Sequence, residues 1–452
     1  MSNSLRVQDI HGLTLSATSS NAGNAFDNTV MGYIKYRLDT PAFLKETLRS
    51  DPEFGLAHCL KGYFLMLAYN QANLPAARES AAQARTFTAT ATWREQRHVD
   101  ALEAWLDDDS ERMLAAWEDI LVDHPLDLVA FRLAHLSYFW LGRAEDMKTS
   151  LDRVMPAWNV SHVGYATVMS CKCFAYEECG EYVEAEDAGR AALDIDPGDL
   201  WGTHGVAHIM EMQGRYDEGI DFMKDRELLW KGANNMTHHL WWHRALFHIE
   251  RREFDEVLDL YDNRFRNLSS VITQAQPDLY IDVQNASSML FRLERQGVPV
   301  GDRWAELAEK AIDRIGDCCS PFTLPHWMMA LAGGKRFDEA RQMLNAMELF
   351  GQSEGTNARI VEGVALPVTE AVLAHGLGEY DRAVDLMKPV LDRMPQLGGS
   401  HAQQEVLEQI FLDSAVNAKR QGDVIFILSR AEAARPVPLG QRIGFAAAAS
   451  QG

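Results

Sequence analysis

Two HxxxH pairs, His204/His208 and His239/His243, lie about one helical repeat apart in the chain. An i,i+4 spacing puts both imidazoles of a pair on one helix face. Two such faces side by side give a wall of four imidazoles, and three chemistries fit it. In the first, two or three of these histidines, with Glu177 or Glu211, hold Zn²⁺ or another divalent transition metal (Fe²⁺, Mn²⁺) and leave a position for water or substrate. Such a centre points to hydrolysis of an amide or ester, or to oxygen chemistry for iron. In the second, His208 works as an acid–base group with Glu177 or Glu211 and no metal. In the third, the imidazoles with Trp242 and Trp241 only grip a carboxylate-bearing small molecule or a peptide. A zincin motif is absent, because Gly205 and not glutamate follows His204.

The elements that must carry these residues announce themselves by self-similarity. GEYVEAEDAGRAALDIDP (180–197), GRYDEGIDFM (214–223), REFDEVLDLY (252–261), KRFDEARQML (335–344) and GEYDRAVDLMKPVLDRMP (378–395) share one design. Each starts with a helix-ending residue and continues with an aromatic, acids and an apolar helix, the helix–turn–helix unit of a tetratricopeptide repeat of about 34 residues. The clearest turns fall at 142, 180, 214, 252, 297, 335 and 378. Each unit leaves an apolar face bare, so units must stack. The expectation is all-α: one right-handed α-α superhelix of degenerate helix pairs over residues 1–452, with almost no β structure and non-helical stretches near 267–278, 349–363 and 396–402.

In such a unit the first helix lines the concave groove through positions 2, 5, 6, 9 and 12, and position 8 must be small. With Gly214 at position 15, Ala207 falls at 8, His204 and His208 at 5 and 9, and Glu211 at 12. With Arg252 at 15, His239 and His243 take positions 2 and 6 and Trp242 position 5. The preceding unit adds Phe174 and Glu177, and the unit turning at Lys335 offers His326 across the groove. Asp282 and Ser288 belong to a polar helix start between them. His204, His239, His243, Trp242, Asp282, Ser288 and His326 are therefore the candidate ligand-binding set. His238 and His135 fall outside the groove register and read as surface and packing. Tryptophans 93, 105, 117, 140, 158, 201, 230 and 304 read as core wedges. Arg94 in WREQRH reads as a surface ion pair, and LGGSHAQ (397–403) as a weak candidate for an anion-binding turn.

REQRHVDALEAW (94–105), HGVAHIMEMQG (204–214), HHLWWHRALF (238–247), DVQNASSMLFRL (282–293) and LGGSHAQ together resemble the tetratricopeptide repeat protein 38 family, over nearly the whole chain. The resemblance implies an all-helical repeat fold and carries no catalytic or cofactor assignment.

A formal charge of −22 and a pI near 5.1 oppose nucleic-acid binding. The N-terminal MSNSLRVQDIHGLTLSATSSN lacks the apolar core of a secretory signal, and no apolar run approaches the roughly 20 residues of a membrane helix. The expectation is a cytoplasmic protein with reduced cysteines, a small-molecule or peptide partner, and a homodimer as an open option. Docking a peptide in the same groove, without catalysis, is the alternative role.

Overall fold

The computed structural model describes residues 7–450. It is built almost entirely of antiparallel helix hairpins, the all-α tetratricopeptide-type repeat that the periodicity requires. Every turn read from the sequence has positive φ: Gly142, Gly180, Gly214, Gly297 and Gly378 as glycines, and Arg252 and Lys335 without that freedom. The hydrogen bonds explain why. Gly214 N donates to Glu211 O at 3.1 Å and Arg215 N to Met210 O at 2.8 Å, so the left-handed residue folds the chain back onto the orphan carbonyls of the helix it ends. Tyr36, Tyr69, Asp108 and Lys419 take the same conformation. Those turns have no glycine and escape a pattern search.

Contacts divide the described chain into two compact units. The first runs to Phe139 and takes in Arg143–Val206 and Leu229–Asn234; the second comprises Trp140–Gly142, Ala207–Leu228 and the chain from Asn235 on. Six helices carry the candidate residues: α1 (Tyr165–Glu178), α2 (Leu200–Met212), α3 (Met236–Glu250), α4 (Asp282–Arg295), α5 (Thr323–Gly333) and α6 (His401–Asn417). Helix α2 supplies both units, with His204 counted in the first and His208 and Glu211 in the second. Its start is fixed by Asp199, which accepts from Gly202 N at 2.7 Å and from Ser170 Oγ at 3.0 Å.

Several expectations need correction. The N-terminus forms a small antiparallel pair, Val7–Gln8 with Thr14–Leu15, which no alternation in so short a stretch could announce. The stretch 267–278 contains the helix Val271–Ala275, and 349–363 contains Thr356–Ile360 and the start of the π-turn Val361–Ala365. Trp93 is 49% exposed and no core wedge, whereas Trp117 is completely buried. The C-terminal alanines lie in the helix Ile443–Ala449. No described helix is long and apolar enough to cross a membrane. The six cysteines form no disulfide.

Arg94 is the largest departure. It is buried in the first unit and pairs with Asp127 at 2.6 Å, an oxygen that His98 Nε2 also approaches at 3.1 Å. Arg94 donates to Thr14 O, and Glu95 accepts from both Ser16 N and Ser16 Oγ at 2.9 Å. The REQRH string is thus a clamp that fastens the N-terminal segment. Breaking it leaves a buried carboxylate without its charge partner. Arg94→Ala should cost about 3–5 kcal/mol in urea unfolding and expose the chain near Thr14–Ser16 to protease.

Candidate functional site

The second unit brings three of the four histidines together. On α3, His239 and His243 sit one turn apart, with their Nε2 atoms 3.2 Å from each other. His208 of α2 faces His243 with ring centroids 4.5 Å apart. Each of the three offers a ring nitrogen within 4.8 Å of the others. The opposite nitrogens are held from outside. His243 Nδ1 lies 3.2 Å from Glu211 Oε2, and His239 Nδ1 lies 3.0 Å from Asn285 Nδ2 on α4. Trp242 stacks on His239 at 5.4 Å with the planes 15° apart, fixing that ring's tilt. His204 lies one turn before His208 on the same face of α2. In the first unit its ring packs on Trp201 at 4.6 Å and on Phe174 of α1 at 5.3 Å.

The imidazoles do not line open solvent as the groove register implies. His204, His208, His239 and His243 are all buried, at 4% exposure or less. Burial holds His208 and His239 well below the ordinary histidine range, with the neighbouring imidazole His243 adding to the effect. Both are neutral at pH 7, the protonation state a metal ligand needs.

The other candidate residues fall into place unevenly. Glu211 is near His243 and also 3.6 Å from Arg435, so it serves as an orienting carboxylate. Glu177 is buried on α1 in the first unit, and the next residue, Glu178, has its carboxyl pushed up to about 8 by desolvation. Asp282 is taken up by His238 Nδ1 at 2.8 Å and Asn235 at 3.2 Å. His238 is accordingly not a surface residue: it is buried and ties α3 to the start of α4. His135 is buried too, among the rings of Phe131, Phe174 and Trp201. Ser288 accepts from Arg292 Nη1 at 2.8 Å. On α5, His326 donates from Nδ1 to Phe322 O at 2.9 Å, and burial lowers its pKa to about 4.

Two features of this neighbourhood escape the sequence register. His401 opens α6 and feels the Arg435 charge, and Asn285 acts as the partner of His239. Beside them lies a buried ion network in which Glu405 receives both Arg435 and Arg442 at 2.8 Å. Desolvation pushes the Glu405 carboxyl up, but these two guanidiniums overcome it and pull the carboxyl to about 2. The LGGS turn is explained by packing: Gly398 has φ +81°, and a Cβ there would stand 2.4 Å from the Trp140 carbonyl.

No protein-family profile matches the chain. Among solved structures it is similar to yeast Tom70, at 12% identity and TM-score 0.37 over 95% of this chain and 88% of that one. It is similar to a human IFIT1 dimer with m7Gppp-AAAA, at 12% identity and TM-score 0.40 over 93% and 95%. A third similarity, to Naa15/Naa10 bound to HypK-THB, has 12% identity and TM-score 0.27 over 90% and 62%.

Two stability outcomes follow from the burial. Truncating His243→Ala takes the hydrogen-bond partner from Glu211 Oε2 and should cost about 1–3 kcal/mol in chemical denaturation. A neutral result would mean that the trio is solvated and not packed. For His326 the folded pKa of about 4 lies below the unfolded value near 6.5, so the unfolded chain binds more protons between them. Stability therefore falls as pH drops from 6.5 toward 4. Between pH 7 and 5 the wild type should lose about 2 kcal/mol more than His326→Asn, which keeps a donor for Phe322 O.

Proposed function

We propose that this helical-repeat protein holds a divalent transition metal, zinc being the first candidate, at His208, His239 and His243 of the second unit. The observation that carries the reading is the orientation of the rings. His239 and His243 turn their Nε2 atoms toward each other while an acid and an amide hold the opposite nitrogens, the outer arrangement that sets metal-ligating histidines. Two nitrogens bound at roughly 2.0–2.1 Å to a tetrahedral ion sit about 3.3 Å apart, close to the 3.2 Å between these atoms. Without an ion, the same contacts form a neutral chain: Asn285 donates to His239, His239 Nε2–H to His243, and His243 Nδ1–H to Glu211. Loading a metal requires the Asn285 amide to present its oxygen instead, so Asn285 reports the state of the site.

A fourth position left to water would support hydrolysis of an amide or ester in a small polar molecule. The stacking of Trp242 and the polar start of α4 favour such a ligand over a long peptide. The peptide-docking scaffold is the second reading, favoured by the repeat architecture itself, which presents long surfaces to partner chains. The strings REQRHVDALEAW, HHLWWHRALF and DVQNASSMLFRL also lead us to infer a place near the tetratricopeptide repeat protein 38 family.

Elemental analysis of tag-free protein beside His208→Asn/His239→Asn decides the main reading. The expected result is about one zinc, iron or manganese per chain, lost in the variant while the fold remains by circular dichroism. Glu211→Gln should weaken metal uptake by about 10–100-fold without abolishing it. A wild-type chain that takes up no metal on incubation with zinc, iron or manganese would sink the proposal and leave partner capture by the scaffold as the function to pursue.

A further inference from the structure

A second polar site lies in the first unit, around Arg132. This residue sits at position 5 of the repeat that turns at Gly142, the register position that His204 takes in its own repeat. It is 1% exposed. Its guanidinium has no carboxylate partner among the described residues. Nη2 donates to the Tyr36 hydroxyl, Nη1 lies 3.8 Å from Cys171 Sγ, and its Cζ stands 4.3 Å above the Trp201 ring. Neither polar partner supplies negative charge at neutral pH. Burial raises the Tyr36 phenol above its ordinary range and lifts the Cys171 thiol to about 12. Asp199, the acid of the same neighbourhood, is engaged by Ser170, Thr167 and the start of α2.

Four other buried arginines have the acid that Arg132 lacks, while Arg292 is held by Ser288 Oγ and Ala402 O. Arg94 has Asp127, Arg266 has Glu306, Arg314 has Asp317, and Arg442 has Glu405. An ion moved out of water is costly unless it is paired. Aromatic faces recover part of that cost. The surrounding polar atoms are likewise unused. Trp201 Nε1, Tyr33 Oη and both ring nitrogens of His135 are buried with no hydrogen-bond partner among the described residues. His135 and Trp201 are 6.4 Å apart by ring centroid, on the Trp201 ring over which Arg132 lies.

We infer that Arg132 is the anchor of an anion site that takes the carboxylate of a small molecule, with Tyr36, Trp201 and His135 around it. A single guanidinium matches one negative charge, and its planar fork matches the two oxygens of a carboxylate. A phosphate dianion would need a second cation, and among the described residues the groups acting on Arg132 are Tyr36, Cys171 and Tyr33. The aromatic walls suit the apolar remainder of an organic acid. This site does not depend on the metal reading, although Trp201 packs on both Arg132 and His204.

The test is thermal melting and tryptophan fluorescence of the full chain in chloride buffer, with acetate, propionate, benzoate and inorganic phosphate added separately. At about 50 mM, a carboxylate that binds the folded state raises the melting temperature by mass action, and chloride serves as the baseline. The expected outcome is a rise with at least one carboxylate, little with phosphate, and an affinity about tenfold or more weaker in Arg132→Met. Tyr36→Phe, which keeps the ring and loses only the hydroxyl, should show an intermediate loss and covers the case where Arg132→Met does not fold. A larger response to phosphate than to any carboxylate would overturn the carboxylate assignment. No wild-type response above chloride, or equal responses in wild type and variants, would overturn the site.

Discussion

The structure depends first on a backbone constraint. A helix followed by a single left-handed residue must reverse, because the N–H groups after the turn donate back to the carbonyls of the last helical turn. Repeating that reversal lays helix beside helix with short connections, and the face each hairpin leaves bare has to be covered by the next. The position of every groove-lining side chain is then counted from the turn. His208 and Glu211 are on one face of α2 because Gly214 ends that helix, and His243 reaches Glu211 because Arg252 ends α3 in the same way.

Burial then converts that geometry into chemistry. Imidazoles in water would titrate near 6.5; sealed between aromatic rings and one another, His208 and His239 stay neutral far below it. The interior also has to satisfy hydrogen bonds, and does so for His239 with Asn285 and for the neighbouring His243 with Glu211. Glu211 is in turn near Arg435, which pairs with Glu405, so the histidine trio is the end of a buried charge relay running to the C-terminal helices of the second unit. A polar network of this extent specifies one side-chain arrangement, since any alternative leaves a group unpaired in a medium of low dielectric constant.

These layers differ in how far the sequence reveals them. The turn spacing is local information, and it is readable even where Arg252 and Lys335 replace glycine, because the acids and aromatic beyond the turn keep their places. The HxxxH pairs are local too. Register can place His204, His208, His239 and His243 on facing helices, but it treats every groove position as solvated, and so it misses their burial. It also misjudges His238 and Arg94. Both bond to groups distant in sequence, Asp282 at 44 residues and Asp127 at 33, and no periodicity encodes such pairs. Asn285 stands within DVQNASSMLFRL and His401 within LGGSHAQ, yet nothing in an asparagine's neighbours tells which imidazole it will hold.

Arg132 sharpens the contrast between a structural charge and a functional one. Several buried cations of this chain come with an acid: Asp127 for Arg94, Glu405 for Arg442. Removing one member of such a pair is costly, so both are held by the fold's own stability. Arg132 has aromatic faces, a neutral phenol and a neutral thiol in place of an acid. The hydrogen bond to Tyr36 and the Trp201 face offset only part of the desolvation cost that this charge carries. A charge kept under those terms suits the proposed carboxylate site, just as histidines held neutral, with their outer nitrogens already committed, suit the proposed metal.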